Sequence, residues 1–233
     1  MDGLWFALFV GVAVAIAGGR YYFKEQRKRG LATFARRHGF VFTPHAPQGL
    51  LSHSFPLFLS GNGRGAENGI AGEWRDMSFK AADFWYYQGS SPGDQQTKGG
   101  TRYYRFSVAA TGIPSWLPEL TISRETLTTS VGKRIRPDDI DFESEEFNRA
   151  FRIKTQHRRF AFELIDARMM EWLLTCDRRL GFQVRGRGVL AYSKPLAPHE
   201  LLVLVGSLKE FCDRIPRLVW NSHDFLPPSE GIV

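Results

Sequence analysis

The chain has 233 residues, of which 43% are hydrophobic and 14% aromatic, and this composition excludes a largely disordered protein. Its net charge of +7 is unevenly distributed. Seven basic residues and one acid lie between Arg20 and His38, whereas residues 39–233 carry 24 basic and 22 acidic side chains. A phosphate-binding stripe should lie within the folded domain, so this distribution argues against nucleic acid as a partner.

The first element is an apolar segment. Gly3 to Gly19 contains no charged residue, and as a helix it would span roughly 25 Å. Aromatic residues at 21–23 follow directly, where rings suit a headgroup interface. We therefore expect residues 1–19 to form a single transmembrane anchor.

Two other interpretations of this segment remain open. Ala15-Ile16-Ala17 has the small-x-small pattern of a signal-peptidase site, but no basic residue precedes the apolar stretch. A helix buried in a soluble core is the second alternative, although such a helix normally shows a polar face. The positive charges after residue 19 favour an uncleaved anchor with the following domain in the cytoplasm.

Small residues recur at every fourth position of the apolar segment. Such a stripe permits a second helix to approach closely in lipid, and it predicts a helix–helix contact and a homodimer as an option. Its members are Gly3, Ala7, Gly11, Ala15 and Gly19.

Residues 20–38 continue the helical pattern and are strongly basic. We expect a juxtamembrane helix and linker that ends at His38-Gly39 with a glycine C-cap. Basic side chains at this place attract anionic lipid of the inner leaflet. The predicted membrane-surface residues are Arg20, Lys24, Arg27, Lys28 and Arg29.

Residues 39–233 predict one soluble α+β domain with a mainly antiparallel sheet. Prolines between 40 and 59 predict short strands and loops, and five glycines between 61 and 72 predict a flexible hairpin connection. Met77–Tyr87 and Arg102–Ala110 predict an antiparallel pair of strands, with a separate short strand at 120–123. In the first strand, the aromatic run Phe84–Tyr87 favours core packing over a binding surface.

The second half of the chain predicts two helices that pack on this sheet. The acidic residues between Asp138 and Glu146 do not have calcium-loop spacing and indicate a solvated helix start. Arg158–Cys176 and Pro198–Ile215 predict amphipathic helices, and 182–192 predicts a hairpin that turns at Gly186-Arg187-Gly188. Cys176 and Cys212 fall on the apolar helix faces and are interpreted as packing residues.

Several short segments are similar to a family of uncharacterised bacterial proteins with an N-terminal membrane anchor. The similarity lies in five segments: the run Glu143–Ile153, which contains Phe147-Asn148, Ala167–Leu174, Asp83-Phe84-x-Tyr86, Leu117-Pro118-x-Leu120 and Arg214-Ile215-Pro216-Arg217. The family often has proline where this chain has Ala167. The resemblance implies a single-pass membrane protein and assigns no catalytic residue.

The sequence thus predicts a membrane-tethered, non-catalytic domain that acts through protein partners or the inner membrane surface. We expect no catalytic, cofactor-binding or metal-binding residues, because neither the six histidines nor the two cysteines show a metal spacing. The alternative is a hydrolase whose site has no local motif, near His157 or Asp138–Asp141.

Overall fold

The protein is an α+β structure, as the sequence predicts. A computed structural model describes the backbone of residues 2–89, 100–124 and 140–221, and within these ranges the side chains of all residues except 2–17, 20 and 221. The helices are α1 (Asp2–Arg37), α2 (Glu145–Ala150), α3 (Arg158–Leu164), α4 (Ala167–Thr175), α5 (Leu201–Arg214) and α6 (Arg217–Asn221). The strands are β1 (Val41–His45), β2 (Gly63–Trp74), β3 (Met77–Gln88), β4 (Arg102–Arg124), β5 (Phe151–Lys154) and β6 (Leu180–Ser193).

One antiparallel sheet organises these elements. Its strands follow the order β1-β2-β3-β4-β5, and β6 pairs with β4 along most of that strand's length. β4 is 23 residues long, so its first half lies between β3 and β6 and its second half lies between β6 and β5. The predicted strand at 120–123 is therefore the end of β4 and not a separate element.

Two predicted turns are parts of continuous strands. The glycine-rich segment 61–72 lies mostly in β2, where Gly63 and Gly65 face Tyr87 and Trp85 of β3. A Cβ at Gly63 would lie 2.3 Å from the Tyr87 ring, so glycine here makes room for an aromatic ring. Gly186, the predicted hairpin turn, has φ +59° within β6 and lies beside a register shift in β4. Glycine indicates a bulge at this position, and the hairpin prediction was wrong.

The predicted helix 158–176 is two helices. α3 ends at Leu164, and Asp166 caps α4 by accepting a hydrogen bond from the backbone N–H of Met169 at 2.8 Å. An aspartate that satisfies a free N–H group stabilises a new helix start. The helix predicted from Pro198 is confirmed as a short 3₁₀ turn, Pro198–Glu200, followed by α5, which ends before Pro216.

Each face of the sheet has its own hydrophobic core. On one face, α1, α4 and α5 contribute buried side chains that include Leu31, Phe34, Leu173, Leu208 and Phe211. On the other face no helix of the described residues takes part; the segment between β1 and β2 supplies Leu50, Phe55, Leu57 and Phe58, which cover Phe84, Val108 and Leu190.

Helix α1 is continuous over 36 residues. Its end is the predicted glycine cap: Gly39 has φ +72°, and the backbone N–H of Phe40 donates to the carbonyl of Ala35 at 2.8 Å. Across the described residues, no helix combines the length and apolarity that a bilayer crossing requires. The anchor expected from residues 1–19 stays a prediction.

Candidate functional site: the junction of helix α1 and the sheet

Arg27 of α1 forms the central contact of this junction with Asp83 of β3. Nε of Arg27 donates to Oδ2 of Asp83 at 2.7 Å, and Nη2 donates to Oδ1 at 2.5 Å. The pair is bidentate, the arrangement in which guanidinium and carboxylate bind most strongly. The side chains are only 27% and 18% exposed, and the hydrogen bonds that Arg27 donates to Asp83 raise the pKa of Arg27 above its ordinary value.

Asn68 completes the environment of this carboxylate. Its side-chain amide donates to Oδ2 of Asp83 at 2.9 Å, so each carboxylate oxygen accepts at least one hydrogen bond. Asn68 is buried and has φ +56°, at the bulge where the pairing of β2 with β3 changes register. Asparagine adopts this left-handed conformation more readily than most residues, which explains its place at the bulge.

Arg27 also reaches the segment that follows β6. Its Nη1 donates to the carbonyl of Leu196 at 2.8 Å, while the N–H of Leu196 donates to Oγ of Ser107 in β4 at 3.0 Å. We call Arg27, Asp83, Asn68, Ser107 and Leu196 the Arg27–Asp83 cluster. It connects α1 to β2, β3, β4 and the start of the 3₁₀ turn region, and it fixes the helix on the sheet.

Two further contacts flank this cluster. One turn towards the helix N-terminus, Nζ of Lys24 lies 2.6 Å from Oε2 of Glu67, but the lysine side chain is 65% exposed. On the C-terminal side, Leu31, Phe34 and Ala35 are buried in the core. Buried apolar side chains and the cluster therefore dominate the attachment of α1, because an exposed ion pair contributes little.

A surface groove of about 520 Å³ lies between α1 and the 3₁₀ turn. Its floor is formed where the helix passes close to the turn, since a Cβ at Gly30 would lie 3.0 Å from Cγ of Pro198. Arg29, Arg37, His38 and His199 line the groove and give it a basic character. Neither cysteine nor His157 takes part in it.

The predicted membrane-surface residues have different environments. Arg27 and Lys24 are paired with carboxylates of the domain, whereas Arg29 is exposed and pairs with Glu25 one turn away at 3.2 Å. Lys28 is partly buried, and the side chain of Arg20 lies outside the described part. The structure thus brings two of these residues onto the domain; their contact with lipid stays a prediction.

The predicted helix–helix stripe belongs to α1. Gly3, Ala7, Gly11 and Ala15 lie in its backbone, but their side-chain environments are outside the described residues. At Gly19, an added Cβ would meet nothing within 4 Å. The predicted contact with a second helix is therefore untested.

The residues considered for catalysis are described only in part. His157 is exposed at the start of α3, and Asp138 and Asp139 lie outside the described residues. Ser144 and the acids that follow it begin α2, as expected. Burial raises the pKa of Cys176 and raises that of Cys212 to about 12, which makes both thiols poor nucleophiles. Within the described ranges, no group of three His, Cys, Asp or Glu side chains could hold a metal ion.

Sequence reasoning assigned no role to Asp83 or Asn68, the two residues that bind Arg27 or its carboxylate partner. Asp83 is the one carboxylate in the apolar strand segment Ala81–Tyr87, and a charge in such a place requires a partner. That rule could have identified Asp83 as the acceptor for a cation. The partner itself lies 56 residues away along the chain and could not be identified.

The comparisons with known proteins give one similarity of fold. No protein-family model matches the chain, and no curated protein matches it. Among solved structures, the fold is similar to that of the mycobacterial trehalose monomycolate transport factor A, TtfA, with a TM-score of 0.59. The alignment covers 86% of this chain and 98% of TtfA at 12% sequence identity. At this identity the similarity shows a shared fold.

Proposed function

We propose that this protein is a non-catalytic domain, tethered to a cell membrane by the start of α1, that acts in a transport-associated process by binding a protein partner at the cytoplasmic face. One observation carries the proposal: the apolar segment 3–19 and the helix held by the Arg27–Asp83 cluster are parts of the same helix. A tether of this kind sets the orientation of the domain as well as its location.

The sequence supports the tether and its direction. Seventeen uncharged residues precede Arg20, and six further basic residues follow within the same helix. Positive charge on one side of an apolar segment favours the cytoplasm for that side. The resemblance to bacterial membrane-anchored proteins has the same implication.

The similarity to TtfA supports the transport-associated role. TtfA is named a transport factor, and nearly all of its chain aligns with this fold. A binding role also suits the groove beside α1, which presents Arg29, Arg37, His38 and His199 to a partner. The small-residue stripe makes a second copy of this chain an additional candidate partner.

Membrane extraction tests the tether. The full chain should remain in the membrane pellet after an alkaline wash, and a C-terminal reporter should be active in the cytoplasm. A Val12→Glu, Val14→Glu variant should be released, since a carboxylate at the centre of a spanning helix costs about 3 kcal/mol. Val203→Glu, at a 43% exposed position of α5, is the matched control and should stay in the pellet.

Purification tests the partner. The tagged full chain, taken from detergent-solubilised membranes, should carry a protein in stoichiometric amount, and the released variant should not. Release of the unaltered chain without detergent would contradict the tether, and recovery of the chain alone would contradict the binding role.

A further inference from the structure

Helix α1 crosses the sheet on the β1–β2 side and in the direction opposite to β3, as two contacts show. At one end, the Phe34 ring contacts Phe40 with centroids 6.2 Å apart, and Phe40 contacts Phe79 of β3 at 4.9 Å. At the other end, Arg27 binds Asp83, four residues further along β3. Moving towards the N-terminus of α1 therefore means moving towards the C-terminal end of β3.

This direction places one end of the sheet beside the start of the helix. From Asp83 to Gln88 a strand extends about 17 Å, and a helix covers that distance in about 11 residues. Counted back from Arg27, the end of β3 therefore lies level with about residue 16, near the C-terminal end of the apolar segment. We call residues 61–65, 85–89 and 100–105 the hairpin end.

Aromatic rings cover both faces of the hairpin end. Trp85 and Tyr87 pack against Tyr103 with ring centroids 6.1 and 5.7 Å apart, and Tyr86 stacks on Tyr104 at 4.9 Å on the opposite face. Tyr103 is 49% exposed. Glycines of β2 leave room for the first two rings, because a Cβ at Gly65 would lie 2.8 Å from the Trp85 ring.

The charges of the hairpin end are all positive. Arg64, Arg102 and Arg105 are exposed, and these described residues include no aspartate or glutamate. The neighbouring carboxylates, Glu67 and Asp83, already pair with α1. Tyrosine and tryptophan concentrate at membrane–water interfaces, and arginine binds the phosphate of anionic headgroups.

We propose that the hairpin end is a second membrane contact, in which its aromatic rings and arginines lie in the headgroup region of an anionic leaflet. The inference rests on the proposed tether. Helix α1 also carries exposed aromatic residues near the end of its apolar segment, since Tyr21, Tyr22 and Phe23 are 62–73% exposed. The tether and the hairpin end together would hold the domain against the leaflet.

Fluorescence quenching by spin-labelled lipid tests the contact. The full chain, with Cys176 and Cys212 replaced by alanine, carries a fluorophore at Tyr103→Cys and is reconstituted into vesicles of phosphatidylcholine with or without 30% phosphatidylglycerol. In anionic vesicles, lipid with a shallow nitroxide should quench this label at least twofold more than in neutral vesicles. A label at Asp76→Cys, in the turn at the opposite end of β3, should be unaffected in both.

Charge variants test the role of the arginines. R64Q/R102Q/R105Q should abolish the additional quenching in anionic vesicles. R158Q/R168Q/R178Q removes the same charge from exposed positions on the helical side of the domain. This variant should leave the additional quenching in anionic vesicles unchanged. A second readout needs no fluorophore: shallow brominated lipid should quench a component of the tryptophan fluorescence that Trp85→Phe removes.

The outcomes separate this inference from the tether. Protein that floats with the vesicles but shows no quenching at 103 would overturn the contact and leave the tether intact, with the hairpin end facing water or a protein. Equal effects of the two arginine variants would also overturn it. Protein that does not float with vesicles at all would contradict the proposed function.

Discussion

Two adjoining parts of α1 have opposite environments. In residues 24–37, Leu31, Phe34 and Ala35 are almost completely buried and Arg27 is bound to Asp83. Immediately before this part, Tyr21, Tyr22 and Phe23 expose 62–73% of their surface, although each carries a large aromatic ring. Between Leu31 and Phe23, a little over two turns, the same helix thus changes from part of the core to an element with uncovered aromatic rings.

The difference separates the part of α1 that the domain covers from the part that it leaves exposed. Consecutive aromatic residues on a soluble helix are normally covered, because exposing apolar surface to water is unfavourable. Here no helix or strand of the described residues covers them, and they suit an interface between water and lipid. The second part of α1 belongs to the domain, and the first part is where we propose the membrane contact.

The largest expected effect is a difference in the free energy of unfolding between alanine substitutions in the two parts of α1. Phe34→Ala should lower the free energy of unfolding by about 3–5 kcal/mol, because it leaves a cavity against Phe40 and the core. Tyr22→Ala should change it by less than about 0.5 kcal/mol. Urea unfolding in detergent gives both values, and equal effects would contradict the difference between the two parts.

The reactivity of a thiol should differ almost as strongly between the buried Cys212 and an exposed position of α1. Burial raises the pKa of Cys212 to about 12, so at pH 8 about one thiol in 10⁴ is ionised. A cysteine placed at Tyr22 should have a pKa near 8.5 and react about a thousand times faster with iodoacetamide. As pH rises from 7 to 10, the rate at position 22 should level off above its pKa, whereas the rate at Cys212 should keep rising.

The control for this measurement is the unaltered chain, in which both native cysteines should react slowly. Fast modification of the native protein at pH 8 would contradict the burial of Cys212.

Removal of the central ion pair should have an intermediate effect. Arg27→Ala should lower the free energy of unfolding by about 2–3 kcal/mol, because it leaves the partly buried Asp83 without its cation. Arg27→Met combined with Asp83→Asn should recover part of this loss. A double-mutant cycle measures the coupling, and a coupling free energy near zero would show that the cluster does not hold the helix.

The sequence predicted the elements of the fold better than their connections. The helix end at Gly39, the pairing of β3 with β4 and the apolar face of α5 follow from local patterns. Glycine was misinterpreted because its meaning depends on a distant neighbour: Gly63 accommodates the Tyr87 ring, and Gly186 makes a bulge opposite β4. The same limit applies to the Arg27–Asp83 cluster, whose partners come from four separate segments.

The break at Asp166 shows a different limit. The apolar residues of 158–176 keep helical spacing on both sides of the break, so periodicity alone predicts one helix. Asp166 decides the outcome, because its side chain accepts a hydrogen bond from the backbone N–H of Met169 and caps a new helix. The spacing of the apolar residues does not reveal this cap.

The smallest expected effect concerns the exposed ion pairs of α1. Lys24→Ala and Arg29→Ala should each lower the free energy of unfolding by less than about 1 kcal/mol, because solvent screens these ion pairs. In 1 M salt the loss should be smaller still. Urea unfolding at two salt concentrations checks it. A larger cost for Lys24→Ala than for Arg27→Ala would reverse the account of how α1 is held.

The rigid attachment of α1 is tested most directly by a distance measurement between spin labels at Tyr21→Cys and Tyr103→Cys, with both native cysteines replaced by alanine. Pulsed electron paramagnetic resonance on the full chain in detergent should give one narrow distance distribution, and Arg27→Ala should broaden it. A broad distribution in the chain with an intact cluster would show that the start of the helix moves independently of the sheet, and would contradict the account.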